Sequence, residues 1–204
     1  MKRIFSIFTL ALIFMSACSH DPAEDVKPTP PEVEITEEML SRSKELNVDL
    51  KTLFDLNRKP AASEVTAVEE TGDVTRITFK DGQTISISVH SSISDAPLVG
   101  IMANESNQPC WAINLQGKSR ILVDNSGKSY RIDEAYPVTS ISRTGVWNVA
   151  LQKSKMTLTD NEGKDLMATG EEASRLFKAV EKTEKEVKIS LYEGKYLSFP
   201  RVQE

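Results

Sequence analysis

Two cysteines, Cys18 and Cys110, and two histidines, His20 and His90, are the chain's whole supply of soft metal ligands and neutral-pH bases. A transition-metal site needs three or four such groups together, so no metal and no cofactor is expected. A Ser-His-Asp triad would have to join His90 to a remote serine and carboxylate, and nothing local positions one. Gly127-Lys128-Ser129 has the end of a phosphate-binding loop, but that loop needs glycine at 122, where Leu122 stands. Asp160, Glu162 and Asp165 around Gly163, and Asp124 and Asn125 before Gly127, miss the calcium-loop spacing and read as hairpin turns. Among 30 acidic residues no spacing singles out a hydrolytic pair. The residues predict no enzyme.

One local arrangement does specify a reaction. Lys2 and Arg3 precede an apolar run from Ile4 to Phe14, too short to span a bilayer, and then Met15-Ser16-Ala17-Cys18. This resembles the lipobox of bacterial lipoproteins, which implies a signal peptide over 1–17, cleavage before Cys18, and lipid (palmitate among its chains) on that residue. Two or three acyl chains hold a protein on a membrane where one does not. The membrane is therefore an expected partner. Cys110 is left without a mate and reads as a small buried hydrophobe beside Trp111.

Past the signal, 23 basic residues face 30 acidic ones, a net charge of −7. That balance leaves no footprint for nucleic acid. Residues 18–35 form a lipid anchor and an acidic, proline-rich tether with Pro22, Pro28, Pro30 and Pro31, able to extend about 50 Å. Asp21, Glu24 and Asp25, just past the anchor, fit either solvation of a linker or an export signal to the cell surface.

The elements that must position any site begin with a helix over 36–58. Thr36 is its N-cap, Glu37 and Glu38 favour the first turn, and Pro60 lies just beyond its end. Met39, Leu46 and Leu53 recur every seven residues, interleaved by Ser43, Leu50 and Asn57. The stripe suits packing on the chain's own domain better than a coiled-coil seam, which would make a homo-oligomer.

Residues 62–204 read as β. Apolar alternation on both sides of Asp81-Gly82 predicts a hairpin, and similar turns recur at Gly117, Gly127, Gly163 and Gly194. Ten to twelve short antiparallel strands follow, with a brief helix expected within Glu171–Ala179. Residues 67–87 align without gaps on 179–199 at an offset of 112, with seven identities including Ala67/Ala179, Ile77/Ile189 and Gly82/Gly194. The fold class is therefore mainly β: repeated hairpins with a duplicated three-strand unit near 65–89 and 177–201, preceded by one N-terminal helix.

Binding candidates are the aromatics in or beside strands: Trp111, Tyr130, Tyr136, Trp147, Tyr192 and Tyr196. Exposed rings stack on sugar faces or anchor protein contacts. Apolar neighbours favour a core position for Trp111 and Trp147, whereas Tyr192 and Tyr196, flanking Glu193-Gly194, are expected to be exposed.

Most of residues 37–200 resembles the domain of unknown function near the N-terminus of many surface lipoproteins of gut anaerobes, often encoded with polysaccharide-utilisation systems. The segments that carry the resemblance are VTAVEETGDVTRITFKDGQTISISVH, PLVGIMANESNQPCWAINLQGKSRILVDNSGKSYRI and LFKAVEKTEKEVKISLYEGKYLSFP. The chain has SSISDA at Ser91–Ala96 in place of the family's Gly-Asp-rich linker. The resemblance supplies no catalytic residues. It implies a non-enzymatic module that binds or displays glycan or partner surface proteins in nutrient acquisition, or, in the alternative, a scaffold oligomerising through its helix. The expected location is the outer membrane at the cell surface, with its periplasmic face as the alternative.

Overall fold

The computed structural model describes residues 33–90, 96–115, 117–124 and 126–202. The expected signal peptide, Cys18 and the tether up to residue 32 lie outside the described residues.

Helix α1 spans Glu37–Asn57, and the Thr36 hydroxyl accepts from the Met39 N–H at 3.3 Å, the expected cap. Its stripe of Met39, Ser43, Leu46, Leu50 and Leu53 is buried in the chain's own β-structure. The seven-residue spacing therefore serves intramolecular packing. Polar contacts fix the register. The Asn47 side-chain amide donates to the Thr139 carbonyl at 2.9 Å and accepts from the Thr139 N–H at 2.6 Å, and Ser43 Oγ donates to the same carbonyl at 3.1 Å. One side chain thus imitates a neighbouring strand and leaves neither backbone group of Thr139 orphaned.

The fold is mainly β, with twelve short strands in four antiparallel three-stranded sheets among the described residues. The first sheet holds β1 (Val65–Thr71), β2 (Val74–Phe79) and β3 (Thr84–Ser88). The second holds β4 (Val99–Ala103), β5 (Pro109–Leu115) and β6 (Lys118–Ile121), and the third β7 (Val138–Ile141), β8 (Trp147–Leu151) and β9 (Ser154–Thr157). The last holds β10 (Phe177–Lys182), β11 (Glu186–Leu191) and β12 (Tyr196–Pro200). The five turn glycines named from the sequence all have positive φ, between 74° and 84°.

The 112-residue duplication holds down to its irregularities. The β1–β2 ladder shifts register between Val65 and Ala67, and the β10–β11 ladder shifts between Phe177 and Ala179, each 112 positions on. Ile77 and Ile189 occupy equivalent, fully buried places, as do Phe79 and Leu191. The two copies also meet. Val65 bridges Arg201 in parallel, Val202 N–H donates to the Val65 carbonyl at 3.0 Å, and Phe79 packs edge-on against Phe199 at 5.2 Å.

A second duplication, at an offset of 36, relates the middle sheets. Trp111 N–H donates to the Tyr130 carbonyl, Tyr130 N–H to Leu122, and Leu122 N–H back to Trp111, at 2.9, 3.1 and 2.8 Å. Trp147, Leu166 and Leu158 close the same triangle at 2.9, 2.9 and 2.8 Å. The following turns match as well. Asp124 Oδ1 accepts from the N–H groups of Ser126 and Lys128, and Asp160 Oδ1 from those of Glu162 and Lys164.

The helix expected within Glu171–Ala179 is absent. Gly170 takes φ +84°, and the Glu172 carboxylate gathers the N–H groups of Thr169 and Gly170 at 2.7 and 3.0 Å with the Trp147 indole N–H at 3.1 Å. Burial pushes against ionisation there, yet these donors hold the Glu172 carboxyl below its usual range. Phe177 then enters β10 opposite Leu191. Side-chain capture of backbone donors outcompetes a helical turn over these few residues.

Candidate functional site

The structure separates the six aromatic candidates. Trp111 and Trp147 lie in the core at 0% and 1% exposure, each with its indole N–H satisfied, Trp111 by the Ala135 carbonyl at 2.6 Å and Trp147 by Glu172. Tyr192, expected at the surface, is buried. A short 3₁₀ turn, Tyr192–Gly194, turns its ring inward, where the hydroxyl accepts from Ile101 N–H at 2.6 Å and donates to the Ile101 carbonyl at 3.1 Å. Tyr136 is half-buried against Phe54, ring centroids 5.4 Å apart. Tyr196 is 59% exposed, with Lys188 Nζ 4.7 Å from its ring centroid. A single exposed aromatic row therefore does not form. Cys110 is buried, as its apolar neighbours predict.

Tyr130 is different. It is mostly buried, but it lines an open cleft of about 750 Å³ between the Asp124–Lys128 turn and the β8–β9 turn. The two triangles position these walls. Tyr130 is a vertex of one, and its hydroxyl reaches across to Ser154 Oγ at 3.2 Å. Arg120 Nη2 donates to the Thr159 carbonyl at 2.8 Å, a further tie between the middle sheets.

Around that ring stand Ser126, Ser154, Gln152 and Lys153, with Asp124, Lys128 and Glu134 completing the lining. The acids are already engaged. Ser126 Oγ donates to Asp124 at 2.6 Å, and this bond, with the N–H groups of Lys128 and Ser126, holds the carboxyl below its ordinary range. Glu134 lies 3.7 Å from Lys128 Nζ. Lys153, by contrast, has no hydrogen-bond or ion-pair partner among the described residues. Gln152 holds φ +55°, one of two non-glycine residues in the left-handed region among those described. The two-residue turn between Leu151 and Ser154 requires that conformation. The turn places Gln152 in the lining of the cleft.

The residues lining the cleft carry hydroxyls, an amide, an ammonium and one aromatic ring, a set suited to hydrogen-bonding a hydroxyl-rich ligand. Sequence reasoning named Tyr130 and missed Gln152, Lys153 and Ser154. The signal was available: Gln152 and Lys153 follow Leu151 at the positions that Gln116 and Gly117 hold after Leu115, marking a second tight turn.

No family model matches the chain, and neither does any curated protein. Among solved structures, the computationally designed Ika4 protein is similar over 71% of this chain and 95% of that one, at 12% identity and a TM-score of 0.13. A score that low carries no argument about fold or function.

Proposed function

We propose that this chain is a non-enzymatic lipoprotein, anchored through Cys18 in the outer membrane, whose β-rich domain binds glycan at the cell surface for nutrient acquisition. The cleft beside Tyr130 carries the binding half of this reading: it is open, and Ser126, Ser154, Gln152 and Lys153, which bear hydroxyl, amide and ammonium side chains, stand around the Tyr130 ring. The anchor half rests on Met15-Ser16-Ala17-Cys18 and the acidic tether that follows. An oligomeric stalk built on Met39, Leu46 and Leu53 would need α1 to leave the strands that bury it.

The purified protein should retain at least one polysaccharide on a glycan array. Lys153→Ala and Gln152→Ala should each weaken that binding about tenfold, the loss of one or two directional hydrogen bonds. Tyr196→Ala should leave it unchanged. A clean negative across common host and plant polysaccharides would sink the binding assignment.

Growth with labelled palmitate tests the anchor separately. The wild-type chain should take up label and Cys18→Ala should not. Equal labelling of the two would remove the lipid anchor from the reading.

A further inference from the structure

Segment 170–176, which leads into β10, is fastened to α1 by three side chains on successive turns of the helix. Arg42 Nε donates to the Gly170 carbonyl at 3.2 Å, Glu45 Oε2 accepts from Ser174 Oγ at 2.8 Å, and Asp49 Oδ2 accepts from the Leu176 N–H at 2.8 Å. Arg175 lies between the two acids, its Nη1 3.5 Å from Asp49 Oδ1 and its Nε 3.4 Å from Glu45 Oε2.

The charge at this join does not balance. Two carboxylates share one guanidinium, and Arg175 Nε, though buried, makes no hydrogen bond. Asp49 is 1% exposed, so solvent reaches this pair only through Glu45, whose side chain is 30% exposed. Arg42, the other charge at the join, is paired with Glu38 at 2.8 Å, and His90 adjoins the far end of the segment, its backbone N–H donating to the Phe177 carbonyl at 3.1 Å. The strands packed most closely on α1 are β3 (TISIS), β4 (VGIMA) and β7 (VTSI), and none of these carries a titratable side chain. The groups facing Asp49 are therefore Glu45 on its own helix and Arg175 on the segment.

We propose that Asp49 is a proton-operated latch: protonated, it holds segment 170–176 on α1, and on ionising it loosens that hold. Protonation corrects the excess negative charge while the remaining oxygen lone pairs still receive the Leu176 N–H. On the anchor proposed above, α1 stands in chain order between Cys18 and the β-repeats, so the latch adds a pH-dependent hold on the segment leading into the last repeat, beside the Val65–Arg201 and Phe79–Phe199 contacts.

Burial pushes the Asp49 carboxyl up from 3.8 to about 6, overcoming the Leu176 N–H and the Arg175 charge, which act to lower it. Below pH 3.8 the group is protonated whether the latch is closed or open. Between 3.8 and about 6 the closed form keeps a proton that the open form has released, so closure weakens as pH rises. Above 6 both forms are ionised and the loss is complete. Across that window opening becomes easier by roughly a hundredfold.

Hydrogen exchange of the full-length protein in detergent, between pH 4 and 7.5 and corrected for intrinsic rates, reads this directly. Protection in peptides covering α1 and 170–176 should fall roughly a hundredfold, and protection in β1–β3 should hold steady. Asp49→Asn keeps an acceptor for Leu176 and should abolish the pH dependence. Glu45→Gln removes the neighbouring negative charge and should shift the midpoint to lower pH, which keeps the proposal testable if Asp49→Asn does not fold. An unchanged slope in Asp49→Asn, an unmoved midpoint in Glu45→Gln, or flat protection in the wild type would each overturn the latch.

Discussion

Gly100→Ala is expected to destabilise the protein by about 3 kcal/mol, enough to lower its denaturation midpoint visibly. A Cβ built at this position would sit 2.0 Å from Tyr192 Oη, 2.7 Å from Tyr192 Cζ and 2.8 Å from Asn114 Nδ2. Neither neighbour is free to retreat. The Tyr192 hydroxyl is held by both backbone groups of Ile101, and Lys195 Nζ donates to the same carbonyl at 2.6 Å. Asn114 Nδ2 donates to the Pro97 carbonyl at 2.8 Å, and its Oδ1 accepts from Ser119 Oγ at 2.7 Å. Gly100 is required here for space.

A double-mutant cycle separates the clash from its surroundings. Tyr192→Phe alone orphans the Ile101 N–H and should cost about 1–3 kcal/mol. It also removes the atom nearest the new Cβ, so Gly100→Ala with Tyr192→Phe should cost less than the two single losses combined. A Gly100→Ala protein that unfolds like the wild type would mean that β4 and the Tyr192 turn do not pack as described.

The same tyrosine shows where the sequence stops being readable. Beside a glycine turn, Tyr192 has the local surroundings of a surface residue. Its burial comes from β4, whose Ile101 lies 91 positions earlier in the chain. No local pattern encodes that pairing. The signal was Gly100 itself, a glycine inside an apolar strand, which marks a close approach by something else. Helix α1, the turn glycines and the core tryptophans were legible because cap chemistry, positive φ and flanking apolar residues are local properties.

The two duplications differ in the same way. The offset of 112 is visible because its identities fall within one gapless run of 21 residues. The offset of 36 is sparser. It pairs Trp111 with Trp147, Leu115 with Leu151, Leu122 with Leu158 and Asp124-Asn125 with Asp160-Asn161, but the residues between them diverge. What the middle sheets share is a triangle of backbone hydrogen bonds, and backbone geometry tolerates side-chain change. The cleft was hidden for a related reason: its walls come from two separate turns, joined by the Tyr130–Ser154 hydrogen bond across 24 positions of the chain, which no local pattern encodes.

The two tryptophans test what that geometry depends on. Trp111→Ala removes a fully buried indole and should cost about 3–5 kcal/mol. Against a typical total of about 5–15 kcal/mol, much of the protein's stability goes with it. Phenylalanine separates volume from hydrogen bonding. Trp111→Phe keeps most of the apolar bulk but deprives the Ala135 carbonyl of its donor at 2.6 Å, a loss of about 1–3 kcal/mol. Trp147→Phe should cost less, because Glu172 retains Thr169 N–H, Thr169 Oγ1 and Gly170 N–H as donors. Urea denaturation of the two phenylalanine variants gives the order. If Trp147→Phe proves the more damaging, the indole of Trp147 is what holds loop 169–172 in place, and the Glu172 contacts to that loop's own backbone are secondary.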